Sequence, residues 1–370
     1  MLESKAFREA CEKAGINIPE YCQELSVEGY RNQPTENYVH FIVLEHLQDY
    51  TVFTQDGQNI LSVDTKDVIN GKNVVTRGVQ FIRKITATLR RKSKSLLRTH
   101  APDVVSIGED GRMAGMKAMG KLDPDDALFG FAVGDSESNK DGVAFAGKSR
   151  VKTGSSFTIQ PLSKDIVDVI TFNAQSDETR IGEPSTALGE KEYFLPEAMF
   201  PMIITLQDPC EEDVLYLMYV IDKCKRTGAV SSRNGRVDYH VAGIVFNHEE
   251  LPSNLEVSQK MFEIIGKGTT AIGELKDIML DAVSKISHEK RVSLEKLVVK
   301  DDVYSMFDDV FKTDEKVASW INTYASLYQK ILSTIDANNA PKNKKTTAYI
   351  ENELPGIIAK CDEAIARYGK

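Results

Sequence analysis

The spacing of apolar positions divides the chain into a β-rich first part and a helical last part. Residues 38–54, YVHFIVLEHLQDYTVFT, are dense in β-branched and aromatic side chains. This density predicts a long strand or hairpin whose centre is buried on both faces. Further apolar runs predict strands at 148–160, 166–174, 201–207 and 237–246, and helical spacing predicts helices at 76–98, 210–226 and over most of 255–370.

The order of these elements indicates the fold class. Leaving aside 166–174, they run β-α-β-β-α-β, which is the ferredoxin-like pattern and also that of the RNA-recognition motif. We therefore expect an α+β protein with two insertions, followed by a helical C-terminal region. The RNP1 aromatic signature is absent, so stacking of bases on the sheet is not expected.

Residues 74–101 form a basic segment in a chain whose net charge is -9. No Asp or Glu lies between Asp67 and Asp103. As one helix, the segment places an apolar stripe on one side and cations on the other. The cations are Arg77, Arg83, Lys84, Arg90, Arg91, Lys94 and Arg98, of which Arg77, Lys84, Arg91 and Arg98 recur every seven residues. Such a row suits a string of phosphates; a solvated helix face and a membrane-surface helix are the alternatives.

A second candidate contact lies in the predicted strand 148–160. The period of two places Lys148, Arg150 and Lys152 on one face, followed by small hydroxylated residues. Ser155 and Ser156, with their amides, can serve phosphate oxygens and sugar hydroxyls. The alternative is an edge strand protected by lysines. Arg233 and Arg236 flank a later turn, SSRNGR, and complete the predicted RNA-binding set.

Composition excludes several other classes of protein. No apolar run approaches the length of a membrane span, and the first residues lack the apolar core of a signal peptide, so we expect a cytoplasmic protein without membrane contact. The five cysteines are scattered without a C-x-x-C pair, which indicates reduced thiols and no zinc site. Asp301, Asp302, Asp308 and Asp309 are typical of a solvated face, so neither metal nor cofactor is predicted.

Three stretches resemble a known family: GKSRVKTGSSFTIQPLS, TFNAQSDETRIGEPSTALGEKEYFLPE and SSRNGRVDYHVAGIVF. They are similar to the backbone subunit of the type I-D CRISPR surveillance complex, a Cas-seven-type protein of the Csc-two family within the repeat-associated RNA-binding superfamily. The resemblance covers roughly 31–250. It implies a non-catalytic protein that polymerises along guide RNA, with a target DNA or RNA strand and the large, cap and small subunits of Cascade as further partners.

The resemblance also implies a palm interrupted by fingers and a thumb. The corresponding division is a lead-in at 1–36, palm at 37–105, 148–174 and 201–254, fingers at 106–147, thumb at 175–200, and the helical region at 255–370. Within the fingers, LDPDDALFG predicts a short helix that carries cysteines for zinc in some relatives. No Cys lies between Cys22 and Cys210, so zinc is not expected here.

Two other functions stay open at this point. The first is an RNA endonuclease of the same superfamily, which could use His40, His46 or Asp177, although no compact acid/base pair or metal cluster supports it. The second is a metabolic enzyme whose basic helix is incidental.

Overall fold

The structure is a computed structural model that describes residues 2–31, 33–53, 60–66, 74–104, 123–133, 145–173, 188–228, 235–266, 271–299, 303–339 and 350–368. Its strands are β1 (Tyr38–Leu47), β2 (Ser62–Lys66), β3 (Val74–Gln80), β4 (Phe131–Val133), β5 (Phe145–Gly147), β6 (Val151–Thr153), β7 (Ser156–Phe157), β8 (Val167–Asn173), β9 (Leu188–Phe194), β10 (Met199–Gln207), β11 (Arg226–Thr227), β12 (Gly235–Asn247) and β13 (Lys296–Val298).

The helices concentrate in the last third of the chain. They are α1 (Lys5–Lys13), α2 (Ile18–Tyr21), α3 (Ile82–His100), α4 (Pro124–Phe129), α5 (Glu211–Lys223), α6 (Asn254–Ile265), α7 (Ile272–Lys290), α8 (Asp308–Phe311), α9 (Asp314–Asn339) and α10 (Leu354–Tyr368), with a 3-10 turn at Val303–Phe307. No helix in the described ranges is long and apolar enough to cross a membrane.

The main sheet confirms the predicted fold class. Its strand order is β11-β12-β1-β10-β6, with β13 pairing the outer side of β12. β1 lies between β12 and β10, and all pairs are antiparallel. With β1, β6, β10 and β12 as the four core strands, the order is fourth, first, third, second, and α3 and α5 fill the helix positions of the ferredoxin-like pattern. Every residue of β1 is buried, as its apolar density predicts.

Helices cover both faces of this sheet. On one face, α3, α5 and α9 bury a large apolar cluster that includes Val39, Phe41 and Val43. On the other face, Ile42 and Leu44 pack with apolar residues of α6 and α7. The face that receives RNA in the RNA-recognition motif is therefore occupied by the protein's own helices, which agrees with the absence of stacking aromatics.

A buried polar network fastens α9 to α5 and to the start of the chain. Tyr324 and Tyr328 of α9 donate their hydroxyl hydrogens to Asp213 Oδ1 of α5, over 2.8 and 2.6 Å. Trp320 Nε1 donates to the Leu2 carbonyl over 2.8 Å, which joins α9 to the start of the chain. Helix α9 is therefore part of the same core as the first helix and the sheet.

Two elements differ from the predicted ones. The segment 74–101 is not one helix, because β3 precedes α3 and pairs with β2 and β7. The sequence of β3, VVTRGVQ, is rich in β-branched residues, which favour a strand. A Cβ at Gly78 would lie 2.3 Å from Phe194 Cε1, so this close approach of β3 to β9 requires glycine.

The predicted strand 148–160 is also divided. Within it, β6 pairs with β10 in the main sheet, whereas β7 pairs with β3 in a separate three-stranded sheet. Gly154 and Ser155 form the break between them. Further along, β8 and β9 form a two-stranded antiparallel ribbon on either side of residues 174–187, which lie outside the described part of the chain. The fingers and thumb boundaries stay predictions.

Candidate nucleic-acid interface

Helix α3 presents a side with cations and without carboxylates. Its buried residues include Ile85, Leu89, Leu96 and Leu97, which dock the helix on the sheet and on α9. On the outer side, Arg83 and Arg91 are exposed, and Lys84 and Arg98 are partly exposed. Lys84, Arg91 and Arg98 remain as a row along the helix, spaced about 10 Å apart at 1.5 Å per residue. We refer to these three as the basic row.

Arg77, the predicted first member of that row, lies in β3 instead of the helix. Its side chain is 2% exposed and donates from Nη1 to the carbonyls of Thr158 and Ile159, over 2.7 and 2.6 Å. The guanidinium also lies over the Phe262 ring, 5.2 Å from its centroid. Arg77 therefore ties β3 to the chain after β7 and to α6, and is not presented to a phosphate.

Arg90 and Lys94 point to the side of α3 that faces α4. Arg90 Nη2 lies 2.5 Å from Asp126 Oδ1 and its Nη1 donates to the Gly130 carbonyl over 2.7 Å. Asp125 Oδ2 lies 3.2 Å from Arg90 Nε and 2.9 Å from Lys94 Nζ. Both carboxylates are almost completely buried, so these ion pairs dock α4 on α3 and use the two cations internally.

At the start of α4, carboxylate oxygens of Asp123, Asp125 and Asp126 lie within 4.8 Å of one another. An acidic cluster of this kind can hold a cation. Here the guanidinium of Arg90 and the ammonium of Lys94 already supply positive charge to it. We interpret the cluster as a docking contact.

Arg150 and Ser156 are buried, in contrast to their predicted contact with RNA. Arg150 donates to the carbonyls of Asp208 and Arg31, over 3.0 and 2.8 Å, and its guanidinium lies 4.3 Å from the centroid of the Tyr30 ring. The Ser156 hydroxyl donates to the Pro201 carbonyl over 2.6 Å. Arg150 joins the start of β6 to the chain at Arg31 and Asp208, and Ser156 joins β7 to β10. Neither is available at the surface.

Lys152 and Ser155, by contrast, meet the N-terminus of α3 at a groove. Ser155 Oγ accepts a hydrogen bond from the Ile82 amide over 3.2 Å, so it caps the helix from a distant strand. The groove has a volume of about 780 Å³ and lies between α3, the β6–β7 break and the loop from β12 to α6. Its lining includes Ile82, Lys152, Ser155, Ile203, Glu250 and Asn254. The structure thus joins the two predicted basic regions at this point.

A third group of cations lies further along α3. Arg91 and Lys92 lower the pKa of Cys224, although burial is the larger influence and raises it to about 12. Cys224 precedes β11, where Arg226 pairs in register with the exposed Arg236 of β12. Lys148 is exposed before β6, and Arg233 lies outside the described residues.

The histidines considered for catalysis have other partners. Burial lowers the pKa of His40 to about 4, so the ring is neutral at pH 7. Its Nδ1 lies 2.8 Å from Thr205 Oγ1 and its Nε2 lies 3.2 Å from the Glu249 carbonyl. His46 Nε2 lies 2.9 Å from Glu197 Oε2 and its Nδ1 lies 2.8 Å from Gln48 Nε2. Asp177 lies outside the described residues.

Sequence analysis missed two residues of the groove. The Asn254 side chain accepts from the Ile203 amide over 2.8 Å and donates to the Gly154 carbonyl over 3.1 Å, which holds the β6–β7 break against β10. Glu250 lies with its Oε1 4.0 Å from Lys152 Nζ. The capping box of Ser253 and Glu256 indicates in the sequence where α6 starts. It does not indicate that Asn254 contacts the β6–β7 break and β10.

Fold and surface together define an RNA-recognition-like α+β protein with inserted segments and a basic, carboxylate-free helix side. The Csc2 family model, described as Csc2 Crispr, matches residues 26–334. The chain belongs to this CRISPR family, which confirms the resemblance seen in the sequence.

One solved structure agrees in fold with this chain, and others match it more weakly. Csc2 of Thermofilum pendens has 14% identity and a TM-score of 0.56, over 88% of this chain and 98% of that chain. A chain of a CRISPR RNA-guided surveillance complex has 10% identity and a TM-score of 0.37, over 68% and 84%. A chain of a type IV-B CRISPR complex has 14% identity and a TM-score of 0.37, over 55% and 90%. No curated protein matches the chain significantly.

Proposed function

We propose that the protein is a backbone subunit of a type I-D CRISPR RNA-guided surveillance complex. It binds the phosphates of guide RNA without sequence specificity and polymerises along the RNA, so that base pairing with a target DNA or RNA strand supplies the specificity. Its other partners are the large, cap and small subunits of Cascade, in the cytoplasm. Membership of the Csc2 CRISPR family supports this role.

The observation that carries the RNA-binding part is the outer side of α3. The basic row and Arg83 lie there, and the helix contains no carboxylate that would repel a phosphate or neutralise a cation. Lys152 and Ser155 extend the basic surface at one end of the helix, and Arg236 is a further exposed cation on β12. We exclude Arg77, Arg90, Lys94, Arg150 and Ser156 from the interface, because their side chains are engaged inside the protein.

The inserted segments provide the rest of the proposed architecture. The pairing of β4 with β5 and that of β8 with β9 support a projecting element at each insertion. In this proposal the first is part of the fingers, at 106–147, and the second carries the thumb, at 175–200. Each would contact RNA or a neighbouring copy.

Fluorescence anisotropy of labelled single-stranded RNA tests the proposal. Two unrelated sequences of equal length should bind with similar affinity, and binding should weaken steeply with salt. Replacement of Lys84, Arg91 and Arg98 by alanine should reduce the log-log salt slope by about 2, since each phosphate contact on a single strand contributes about 0.7.

The control removes three exposed lysines from other parts of the surface, Lys13, Lys312 and Lys360. This variant loses the same net charge, so it should change the slope much less if the row contacts phosphates directly. Equal effects of the two triple variants, or binding restricted to one of the RNA sequences, would contradict the proposal.

The endonuclease alternative has a direct test. Purified protein is incubated with guide and target RNA, with and without Mg²⁺, and the products are separated by length. We expect no cleavage. Cleavage that is lost in His40→Ala or Asp177→Ala would replace the structural role by a catalytic one.

A further inference from the structure

We infer that the groove at the N-terminus of α3 holds one ribonucleotide unit of the bound strand, and that Glu250 accepts the ribose 2′-hydroxyl. This inference rests on the proposed function, since it assigns RNA selectivity to part of the same interface. It depends on the hydrogen-bonding groups and charges that line the groove.

Most hydroxyl and amide groups that line the groove are already hydrogen-bonded within the protein. Thr153 Oγ1 donates to the Ile203 carbonyl over 2.8 Å, and Thr86 Oγ1 donates to the Ile82 carbonyl over 3.2 Å. The Thr205 hydroxyl contacts His40, and the Asn254 side chain contacts backbone on two strands. These groups shape the groove, but their hydrogen-bonding partners are other groups of the protein.

Ser155 and Lys152 are the donors that remain for a ligand. Among the described residues, the Ser155 hydroxyl accepts the Ile82 amide hydrogen and donates no bond of its own. Lys152 has a side chain that is 42% exposed, and its closest carboxylate is Glu250 at 4.0 Å. Ser155 lies at the positive end of the α3 dipole and Lys152 lines the same groove, so a phosphate oxygen is the favoured ligand for these two donors.

Glu250, in contrast to Lys152 and Ser155, requires a hydrogen-bond donor on the ligand. Its side chain is 66% exposed at the mouth of the groove and carries a negative charge that disfavours a phosphate. A carboxylate is compatible with a bound nucleic acid strand when it accepts a hydrogen bond from it. On the sugar, an RNA strand offers such a donor in its 2′-hydroxyl, and a DNA strand does not.

The distance between Lys152 and Glu250 fits these two demands within one nucleotide. Lys152 Nζ and Glu250 Oε1 lie 4.0 Å apart, so a cation for the phosphate and an acceptor for the 2′-hydroxyl are side by side, and Val151, Ile203 and Leu251 give the same groove an apolar floor. That floor can contact the sugar and base, while the polar groups contact the backbone. The arrangement admits a deoxyribonucleotide too, but leaves the Glu250 carboxylate without its hydrogen bond.

His40 holds the loop that carries Glu250. Its Nε2 lies 3.2 Å from the Glu249 carbonyl, while Nδ1 contacts Thr205 on β10. Since the ring is neutral, one nitrogen donates and the other accepts, which matches a donor to the carbonyl and an acceptor from the threonine hydroxyl. His40 is therefore a positioning residue for Glu250 in this inference.

The test compares RNA, DNA and 2′-O-methyl RNA of the same sequence and length by anisotropy. The wild-type protein should prefer RNA over the other two by about tenfold, the effect of one hydrogen bond to a charged group. In Glu250→Ala this preference should fall towards one, mainly because DNA and 2′-O-methyl RNA bind better. Glu250→Gln keeps an acceptor oxygen and should retain part of the preference.

Glu249→Ala is the matched control. It removes the same charge from the neighbouring residue, whose carboxylate accepts from the Ser293 amide over 2.9 Å instead of facing the groove. It should raise the affinity for RNA and DNA alike and leave their ratio unchanged. A ratio that is the same in Glu250→Ala and wild type overturns the inference while RNA binding itself stands. Absence of binding to any of the three strands overturns the proposed function and the inference together.

Discussion

The basic residues inside the protein and those on its outer side alternate along the same segments of chain. Arg90 is bonded to buried carboxylates of α4, whereas the next residue, Arg91, is exposed. Arg150 is buried against Tyr30 and Asp213, whereas Lys148 is exposed two residues earlier. Adjacent cations thus have opposite roles, since one set stabilises the fold and the other is available to a polyanion.

The two sets differ in whether the cation keeps its hydration in the folded protein. A buried cation loses its hydration and needs carboxylates or carbonyls in fixed positions, so removing it leaves those partners unsatisfied. An exposed cation keeps its hydration, and removing it costs the fold little. A basic residue in the sequence therefore does not by itself indicate a binding surface, because its side chain can be bonded inside the protein.

Arg150→Ala should have the largest effect of the substitutions that separate the two sets. It removes two hydrogen bonds to carbonyls and the cation nearest to Asp213, which is completely buried and 3.6 Å away. We expect a loss of about 3–5 kcal/mol in the free energy of unfolding, measured by denaturant titration. Lys148→Ala should lose less than about 0.5 kcal/mol. Similar losses in the two variants would mean that Arg150 is hydrated in solution.

Glu45 extends the comparison to the interior, because it is a buried carboxyl that forms no ion pair with the described residues. Burial raises its pKa to about 8, while hydrogen bonds from Thr227, Gln80 and Tyr239 act in the opposite direction. The unfolded chain ionises this group near its ordinary pKa of 4.5, so between pH 4.5 and 8 the folded state holds the extra proton. The free energy of unfolding should therefore fall as the pH rises through this range, by about 5 kcal/mol at most.

Glu45→Gln removes this titration without changing the shape of the side chain. The variant should gain stability over the wild type as the pH rises from 5 to 8, and the two should differ little at pH 5. Denaturant titrations at several pH values measure the difference. Glu12→Gln, at an exposed position, is the control. Parallel pH profiles for Glu45→Gln and wild type would show that Glu45 is ionised in the folded state.

Much of the fold could be predicted because its signals are local. The buried strand β1 follows from β-branched and aromatic density, and the order of strands and helices is that of the ferredoxin-like pattern. The predicted start of α3 was wrong, because the prediction gave more weight to cations at helical spacing than to the β-branched residues of β3. The β propensity of these residues alone predicts a strand there.

The candidate site was harder to predict, because the partners that bury a cation are distant in sequence. Arg77 donates to carbonyls 81 and 82 residues further on, and Arg90 pairs with Asp125, 35 residues away. The short helix at 124–129 was predicted, but not that its carboxylates face α3. Periodicity assigns a residue to a face of its own element and does not indicate what covers that face.

Arg90→Ala should have an intermediate effect on stability. It leaves Asp126 buried without its guanidinium, although Lys94 still contacts Asp125. We expect a loss of about 2 kcal/mol in the free energy of unfolding. Asp126→Asn in the same chain should restore part of it, because the amide carries no charge. No loss in Arg90→Ala, or no recovery in the double variant, would show that α4 docks on α3 by apolar contacts alone.

Arg91→Ala should have the smallest effect on stability but a distinct effect on binding. The side chain is exposed in the middle of the basic row, so we expect a change in unfolding free energy below about 0.5 kcal/mol. The salt slope for single-stranded RNA should fall by about 0.7, and affinity should fall equally for unrelated sequences. Under conditions where it is folded, Arg90→Ala should keep the wild-type slope. If Arg90→Ala reduced the slope as much as Arg91→Ala does, the division into internal and outer cations would not hold on this helix.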